Sequence, residues 1–392
     1  MTMLKSTIAL PEPRLELEGG EALTFETAKI LRHKARLSGM NPNYWYPIEW
    51  SKHVPAKKVV EVEFWNQSIA LYRGEDGQVA ALENRCPHRH IPLTLGHVKG
   101  CNLVCIYHGW TYSPEGELVE MKHDDFGKKM PKVSVQTWPV REKYGLIWMF
   151  PGHPELADRT PLVHIPEAEG PDKWAHLTFD YTWQAHHSMV IDNLCNLTHL
   201  YVHGKWVPYD LTHLADSSHE GDRITLDWHH TLRRDALFPM YRVVFRKQGT
   251  EDESRSFMTY DYPYQSVLSN NRIKSCNFLS PISEGRTRVF SVQLWKRPKV
   301  LGTTNRLGGE LFQRFATPVL KQITMEVFRQ DGATVEAEME RMEANFFRPI
   351  PEPNHSVKYF DRLNAERWQA WLDSQARGEP ELGAAPERVK VL

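Results

Sequence analysis

The sequence predicts an α+β protein in two parts, an all-β unit followed by a unit whose antiparallel strands are grouped between helices. Three observations carry that expectation. From Lys58 to Phe150 the chain is a succession of short strand-like runs (KVVEVEFW, SIALYRG, QVAALE, NLVCIYHGW, GLIWMF) punctuated by GEDG and PEGE turns. The stretch Pro151 to Gly170, PGHPELADRTPLVHIPEAEG, is rich in proline and charge and reads as a linker. Beyond it, strand-like segments from about Arg223 to Arg297 stand together instead of alternating with helices as βαβ units require.

Taken in order, residues 1–42 form an N-terminal extension with a short helix expected at Glu26 to Leu37 (ETAKILRHKARL). Residues 43–155 form the β domain and 156–375 the second domain. In the latter, Thr182 to His203 reads as helical, and RITLDWHHTL, YRVVFRK, SFMTYDY and TRVFSVQLWKR read as strands. A long helix follows from about Gly309 to Phe347, and residues 376–392 read as a tail.

Composition narrows the function classes. With 392 residues, 41% of them hydrophobic and 11% aromatic, the chain can bury substantial cores. Forty-eight basic against 49 acidic side chains leave a net charge of -1, so no global field favours nucleic acid or an anionic membrane. No apolar run is long enough to span a bilayer, and Met1 to Arg14 meets prolines and charges before a signal-peptide core develops; a soluble, cytoplasmic protein is expected. Five cysteines (Cys86, Cys101, Cys105, Cys195, Cys276) are too few, and odd in number, for a disulfide scaffold, which leaves thiolates free for metal.

Two segments, RCPHRH and VCIYHGW, each pair a cysteine with a histidine: Cys86 with His88, and Cys105 with His108. The spacing Cys-x-His-x16-Cys-x2-His puts each pair on a turn between strands, so two facing loops can clamp one [2Fe–2S] cluster. Two thiolates then hold one iron and two imidazoles the other, which raises the potential above that of all-cysteine clusters. A Cys2His2 zinc site wants the same atoms, but zinc fingers group their cysteines first and their histidines second. Buried, apolar cysteines with accidental histidine neighbours are the plainer alternative.

With the flanking CPHR and YHGW, these residues resemble the Rieske domain of aromatic-ring-hydroxylating and demethylating oxygenases. Respiratory Rieske proteins carry an extra cysteine in each loop, and this sequence has none there, which favours the oxygenase branch.

A second constellation lies in IDNLCNLTHLYVH, where His199 and His203 are four apart and on a helix leave one face together. Two histidines and one carboxylate, with open positions, make the facial triad of Fe(II) oxygenases. Asp331 is the expected third member, because Ile323, Val327, Asp331 and Val335 follow at four-residue steps and the carboxylate interrupts an apolar helix face. Burying it needs compensation, from a cation or from hydrogen bonds at a kink beside Gly332. Glu326 and Glu336 step off that face.

IDNLCNLTH and QDGATVEA resemble the iron-binding and carboxylate-bearing helices of the dicamba, vanillate and phthalate group of Rieske oxygenases, a similarity spanning about residues 44 to 345. It implies a helix-grip-like catalytic sheet, with His199, His203 and Asp331 on a mononuclear non-haem Fe(II) and Asp192 and Asn193 as polar neighbours. At position 196 the family usually has an aspartate that links the two metals between subunits; this chain has Asn196, which can donate and accept hydrogen bonds but carries no charge. Electron transfer would then be slower, differently pH-dependent or routed through Asp192.

The resemblance further implies a terminal oxygenase that takes electrons from NAD(P)H through a flavin or iron–sulfur reductase or a ferredoxin, and uses O2 to hydroxylate or demethylate a small aromatic or cyclic substrate. It also implies a head-to-tail homotrimer, since one chain's own metals are too far apart in this family. Two rivals stay open: a Rieske electron carrier or redox sensor with an inactive second site, which Asn196 favours, and a zinc-bound structural module.

Overall fold

The computed structural model describes residues 14–16, 22–121, 130–170, 173–233, 253–296 and 306–378. The expected YRVVFRK strand, the first thirteen residues and the tail beyond Gly378 lie outside them. The chain divides into two compact units, one built on Asn41–Leu162 with the stretch from Ala370, the other on Val163–Gln369 with the residues before Asn41.

Apart from short 3-10 turns and the end of a C-terminal helix from Ala370, the first unit is β. Its strands are β1 (Tyr46–Trp50), β2 (Val59–Phe64), β3 (Gln67–Arg73), β4 (Val79–Glu83), β5 (His97–Lys99), β6 (Asn102–Val104), β7 (Thr111–Tyr112), β8 (Leu118–Glu120), β9 (Thr137–Trp138), β10 (Val140–Lys143) and β11 (Leu146–Met149). They form three antiparallel sheets in the orders β9-β4-β3-β2, β8-β7-β6-β5 and β10-β11-β1. Alternation makes the strands: in β2 the residues Val62 and Phe64 are buried while Glu61 and Glu63 face water, and Trp65 and Asn66, both at positive φ, turn the chain into β3. Ala70, Tyr72, Leu82, Leu103 and Tyr112 make a core to which Cys86 and Cys105 belong.

The second unit is a seven-stranded antiparallel sheet with helices and a short ribbon that pairs Arg14–Glu16 with Ala22–Thr24. Its strands are β12 (Ala175–Trp183), β13 (Tyr209–Glu220), β14 (Arg223–Leu232), β15 (Glu253–Asp261), β16 (Tyr264–Ser269), β17 (Ile273–Ser283) and β18 (Arg286–Trp295), in the order β12-β18-β17-β16-β15-β14-β13. All but β12 follow a meander, and β12 closes the edge by pairing with β18, Tyr181 opposite Val289. The helices are α1 (Leu31–Arg36), α2 (His187–Cys195), α3 (Leu200–His203), α4 (Arg306–Asn345) and α5 (His355–Arg377).

Several expectations are corrected. Thr182 and Trp183 end a strand, and the helix expected through His203 is two helices with a break between Cys195 and Leu200. The first helix is shorter than Glu26 to Leu37, because Glu26 lies in the turn that precedes it. Helix α5 runs to Arg377, into the stretch read as tail; its buried Val357, Phe360, Leu363, Trp368 and Trp371 recur at helical spacing.

Candidate functional site

The two cysteine–histidine loops share one backbone design. Cys86 N–H donates to Ile91 O at 2.9 Å and His90 N–H to Cys86 O at 2.8 Å. Cys105 N–H donates to Trp110 O at 2.8 Å and Gly109 N–H to Cys105 O at 3.0 Å. In each loop the fourth residue after the cysteine is left-handed, Gly109 at φ 67° and His90 at φ 59°. Both cysteines are therefore held by backbone, before any metal is considered.

The four side chains meet in pairs. The Cys86 and Cys105 thiols are within hydrogen-bonding reach of each other, and the His88 and His108 ring centroids are 4.5 Å apart. His88 also stacks on Trp110 at 4.5 Å with an interplanar angle of 5°. A tetrahedral zinc ion would draw all four ligand atoms to one point. Among the described residues, the group of three or more potential ligands lying within 4.8 Å of one another is a different one, described next. Thiol with thiol and ring with ring suits two irons. Burial pushes the Cys105 thiol up, so cations are needed to displace its proton. Tyr112 places its hydroxyl 3.2 Å from Cys86 Sγ, a contact of the kind that tunes a cluster's potential.

The second site is assembled from distant segments. Helix α2 ends at Cys195, and Asn196 Oδ1 accepts from Thr198 N–H at 3.0 Å and Thr198 Oγ1 at 2.6 Å, a local turn that competes with the helix and breaks it. His199 therefore stands just before α3 and His203 at its end. Both Nε2 atoms come to 3.2 Å from Asp331 Oδ1, and the three ligand atoms lie within 4.8 Å of one another. Burial pushes the Asp331 carboxyl up, but hydrogen bonds from His199 and His203 outweigh it and hold it below the usual carboxylate range. Burial pulls His203 down, and the Asp331 carboxylate more than restores it. Two imidazoles and a carboxylate converging from one side form a donor set that fits a divalent iron with positions left open.

Neighbours fix these groups. His203 Nδ1 faces Gln330 Oε1 at 3.2 Å and Gln330 Nε2 donates to Glu326 Oε1 at 2.9 Å, which leaves His203 Nε2 directed at Asp331. Asn193 Nδ2 approaches Asp331 Oδ1 at 3.4 Å. Gly332 is required by close approach: a Cβ there would lie 2.4 Å from Trp183 Nε1, so the glycine lets α4 rest against the end of β12.

The other candidates are placed elsewhere. Asp192 turns away from the triad to the buried Arg36, whose Nη2 donates to its Oδ2 at 2.5 Å while Nη1 donates to Ser188 Oγ at 2.7 Å. Burial raises the Asp192 carboxyl to about 7 against the pull of Arg36. His186 and His187 are within 3.0 and 2.9 Å of the Ser38 carbonyl, which gives their rings a structural task. Gln330, Trp183 and Tyr181 were not foreseen; the signal for Gln330 was its place beside Asp331, and the two aromatics follow only from β12 being a strand.

Comparison with known proteins bears on both sites. Residues 44–139 match the family model of the Rieske [2Fe-2S] domain, and residues 183–357 that of the vanillate O-demethylase oxygenase C-terminal domain. The chain is 34% identical over 373 residues to the 4beta-methylsterol monooxygenase of Methylococcus capsulatus, covering 91% of this chain and 96% of that one. It is 32% identical over 213 residues to a vanillate O-demethylase oxygenase subunit of Pseudomonas sp. strain HR199, 54% of this chain and 58% of that one. In fold it is similar to dicamba monooxygenase bound to 3,6-dichlorosalicylic acid, with a TM-score of 0.67 at 21% identity over 88% of this chain and 99% of that one. It is also similar to the oxygenase of carbazole 1,9a-dioxygenase in its reduced complex with ferredoxin, with a TM-score of 0.62 at 18% identity over 90% and 95% of the two chains.

Proposed function

The chain belongs to the Rieske non-haem iron oxygenases, and from that premise we propose that it is the terminal oxygenase for a methyl or other alkyl C–H bond of a bulky polycyclic substrate of the sterol class. The substrate reading rests on the 4beta-methylsterol monooxygenase, which matches over 96% of its own length. Oxidative demethylation of a methoxylated aromatic is the second reading, favoured by the vanillate O-demethylase model over residues 183–357.

The observation that carries the mechanism is the convergence of His199 and His203 on Asp331 in a chain that also holds the paired loops of Cys86, His88, Cys105 and His108. We assign the first three to the mononuclear iron and the other four to the [2Fe–2S] cluster. Such an iron, with positions open, supplies dioxygen activation when bound. The protein's own groups do the rest. Gln330 holds the His203 ring, Asn193 steadies the carboxylate, and Asp331 is buried on the same helix face as Ile323 and Val335, so its charge needs a cation. Arg36 anchors the outer side of α2 through Asp192, which we therefore give a positioning role. Asn196 uses its carbonyl oxygen on Thr198, so any bridge it makes to a cluster histidine is one its amide donates.

The carbazole dioxygenase complex supports electron delivery by a ferredoxin; upstream of it we propose a reductase that draws on NAD(P)H. A homotrimer is supported by large apolar side chains left exposed near both sites, Ile106 and Tyr107 in the second cluster loop and Tyr201 in α3, exposed by 62%, 59% and 99%. Among the described residues no helix is long and apolar enough to cross a membrane. The three cysteines outside the cluster assignment, Cys101, Cys195 and Cys276, are free thiols, which fits the cytoplasmic setting we propose.

The test is turnover by the reconstituted chain with a ferredoxin and reductase, offered a 4β-methylsterol and, separately, vanillate. An oxygenated methyl group on the sterol is expected. Formaldehyde from vanillate with an untouched sterol would move the assignment to the second reading, and neither product would refute both.

A further inference from the structure

Strand β12 meets α4 beside Asp331 with three aromatic residues from one face, Phe179, Tyr181 and Trp183. The Tyr181 ring stacks on Phe328 at 4.7 Å and 24°, and Trp183 lies against Gly332. Phe328 and Gly332 sit three residues before and one residue after Asp331, so Tyr181 and Trp183 flank the turn of helix that carries the carboxylate. Packing does not need the Tyr181 hydroxyl, since Phe179 meets the same Phe328 at 5.6 Å without one. Yet that hydroxyl is buried and finds no hydrogen-bond partner in the protein. A buried donor left unpaired is costly, and at a reaction centre it marks where an acceptor arrives.

We propose that Tyr181 is a further active-site residue, whose phenol O–H donates to an oxygen atom bound beside Asp331, that of dioxygen or of the substrate. The inference rests on His199, His203 and Asp331 being the iron ligands. Burial pushes the phenol's ionisation well above its ordinary value, so the hydroxyl stays protonated and available to donate. A donor held in place by ring stacking is ready before the acceptor binds, which is the condition under which such a contact favours reaction over binding alone.

Tyr181→Phe removes the hydroxyl and keeps the stack. In the full chain reconstituted with cluster and iron, nitric oxide serves as the diatomic probe, read by electron paramagnetic resonance of the ferrous–nitrosyl with and without a 4β-methylsterol. A spectrum altered in the sterol-free variant supports an acceptor on the dioxygen side; one altered only with sterol present supports the substrate's oxygen. In either case kcat/KM falls about a hundredfold, and the metal-free variant unfolds at the same temperature as the parent or higher, because no protein hydrogen bond is lost. Unchanged nitrosyl spectra with unchanged turnover would overturn the proposal, as would a metal-free variant that melts lower. If the parent itself gives no ferrous–nitrosyl signal, the ligand assignment fails and takes this inference with it.

Discussion

The two proposed metal sites are built on opposite principles. In the first unit each proposed ligand pair sits within six residues of backbone whose own hydrogen bonds, Cys86 to Ile91 and Cys105 to Trp110, shape the loop. In the second, His199 and Asp331 are brought to 3.2 Å across 132 residues of chain, by a broken helix, a long helix and a strand edge that must all be in register. Local design makes the first site robust and readable. The second depends on packing, so it is sensitive to changes that touch no ligand.

That contrast predicts separable losses. The largest effects are expected at the proposed ligands themselves. Cys105→Ser should abolish the visible cluster spectrum, whereas Asp331→Ala should abolish turnover and mononuclear iron while the cluster spectrum persists. Loss of both signals in Asp331→Ala would show that the sites are not independent. Next in size is Gln330→Leu, which frees the His203 ring and should weaken iron binding about ten- to a hundredfold, measured by equilibrium competition with a chelator. An unchanged affinity would mean that packing alone orients the ring.

Gly332→Ala tests the strand edge. Its Cβ must displace the Trp183 indole, so unfolding free energy should fall by about 1–3 kcal/mol, with mononuclear iron lost before the cluster. The smallest effect is one of slope. His230 is pulled from 6.5 to about 4 by burial and by the nearby charges of His229 and His213. Above the unfolded value both states are neutral; between about 6.5 and 4 the unfolded chain binds the proton first, so stability present at neutral pH is lost on acidification. His230→Gln should remove a slope of at most ~1.4 kcal/mol per pH unit in that window, measured by denaturant unfolding at several pH values.

The same contrast explains what the sequence disclosed. The pairing of Cys86 with Cys105 and of His88 with His108 was legible because each loop is a short local segment whose spacing sets where its side chains lie. His199, His203 and Asp331 were legible as residues, since helical periodicity marks a carboxylate inside an apolar row. The break before His199 was missed because nothing between Cys195 and His203 is glycine or proline; the Asn196–Thr198 turn that causes it is a weak local signal. Strand β12 was hidden for another reason: its end, Thr182 and Trp183, runs almost directly into α2, and its partner is β18, a hundred residues later. Tyr181 and Trp183 could not be connected to Asp331 without that pairing. Edge strand β13 escaped notice because YDLTHLADSSHE is mostly exposed and lacks a buried alternation.

The central claim, that one chain keeps an electron-storing cluster and a separate oxygen-reactive iron, is tested most directly by counting iron per polypeptide after anaerobic reconstitution, in the parent and in His199→Ala. About three irons in the parent and two in the variant, with the same cluster spectrum in each, is the expected result. Two irons in both would contradict it and leave an electron carrier in place of an oxygenase.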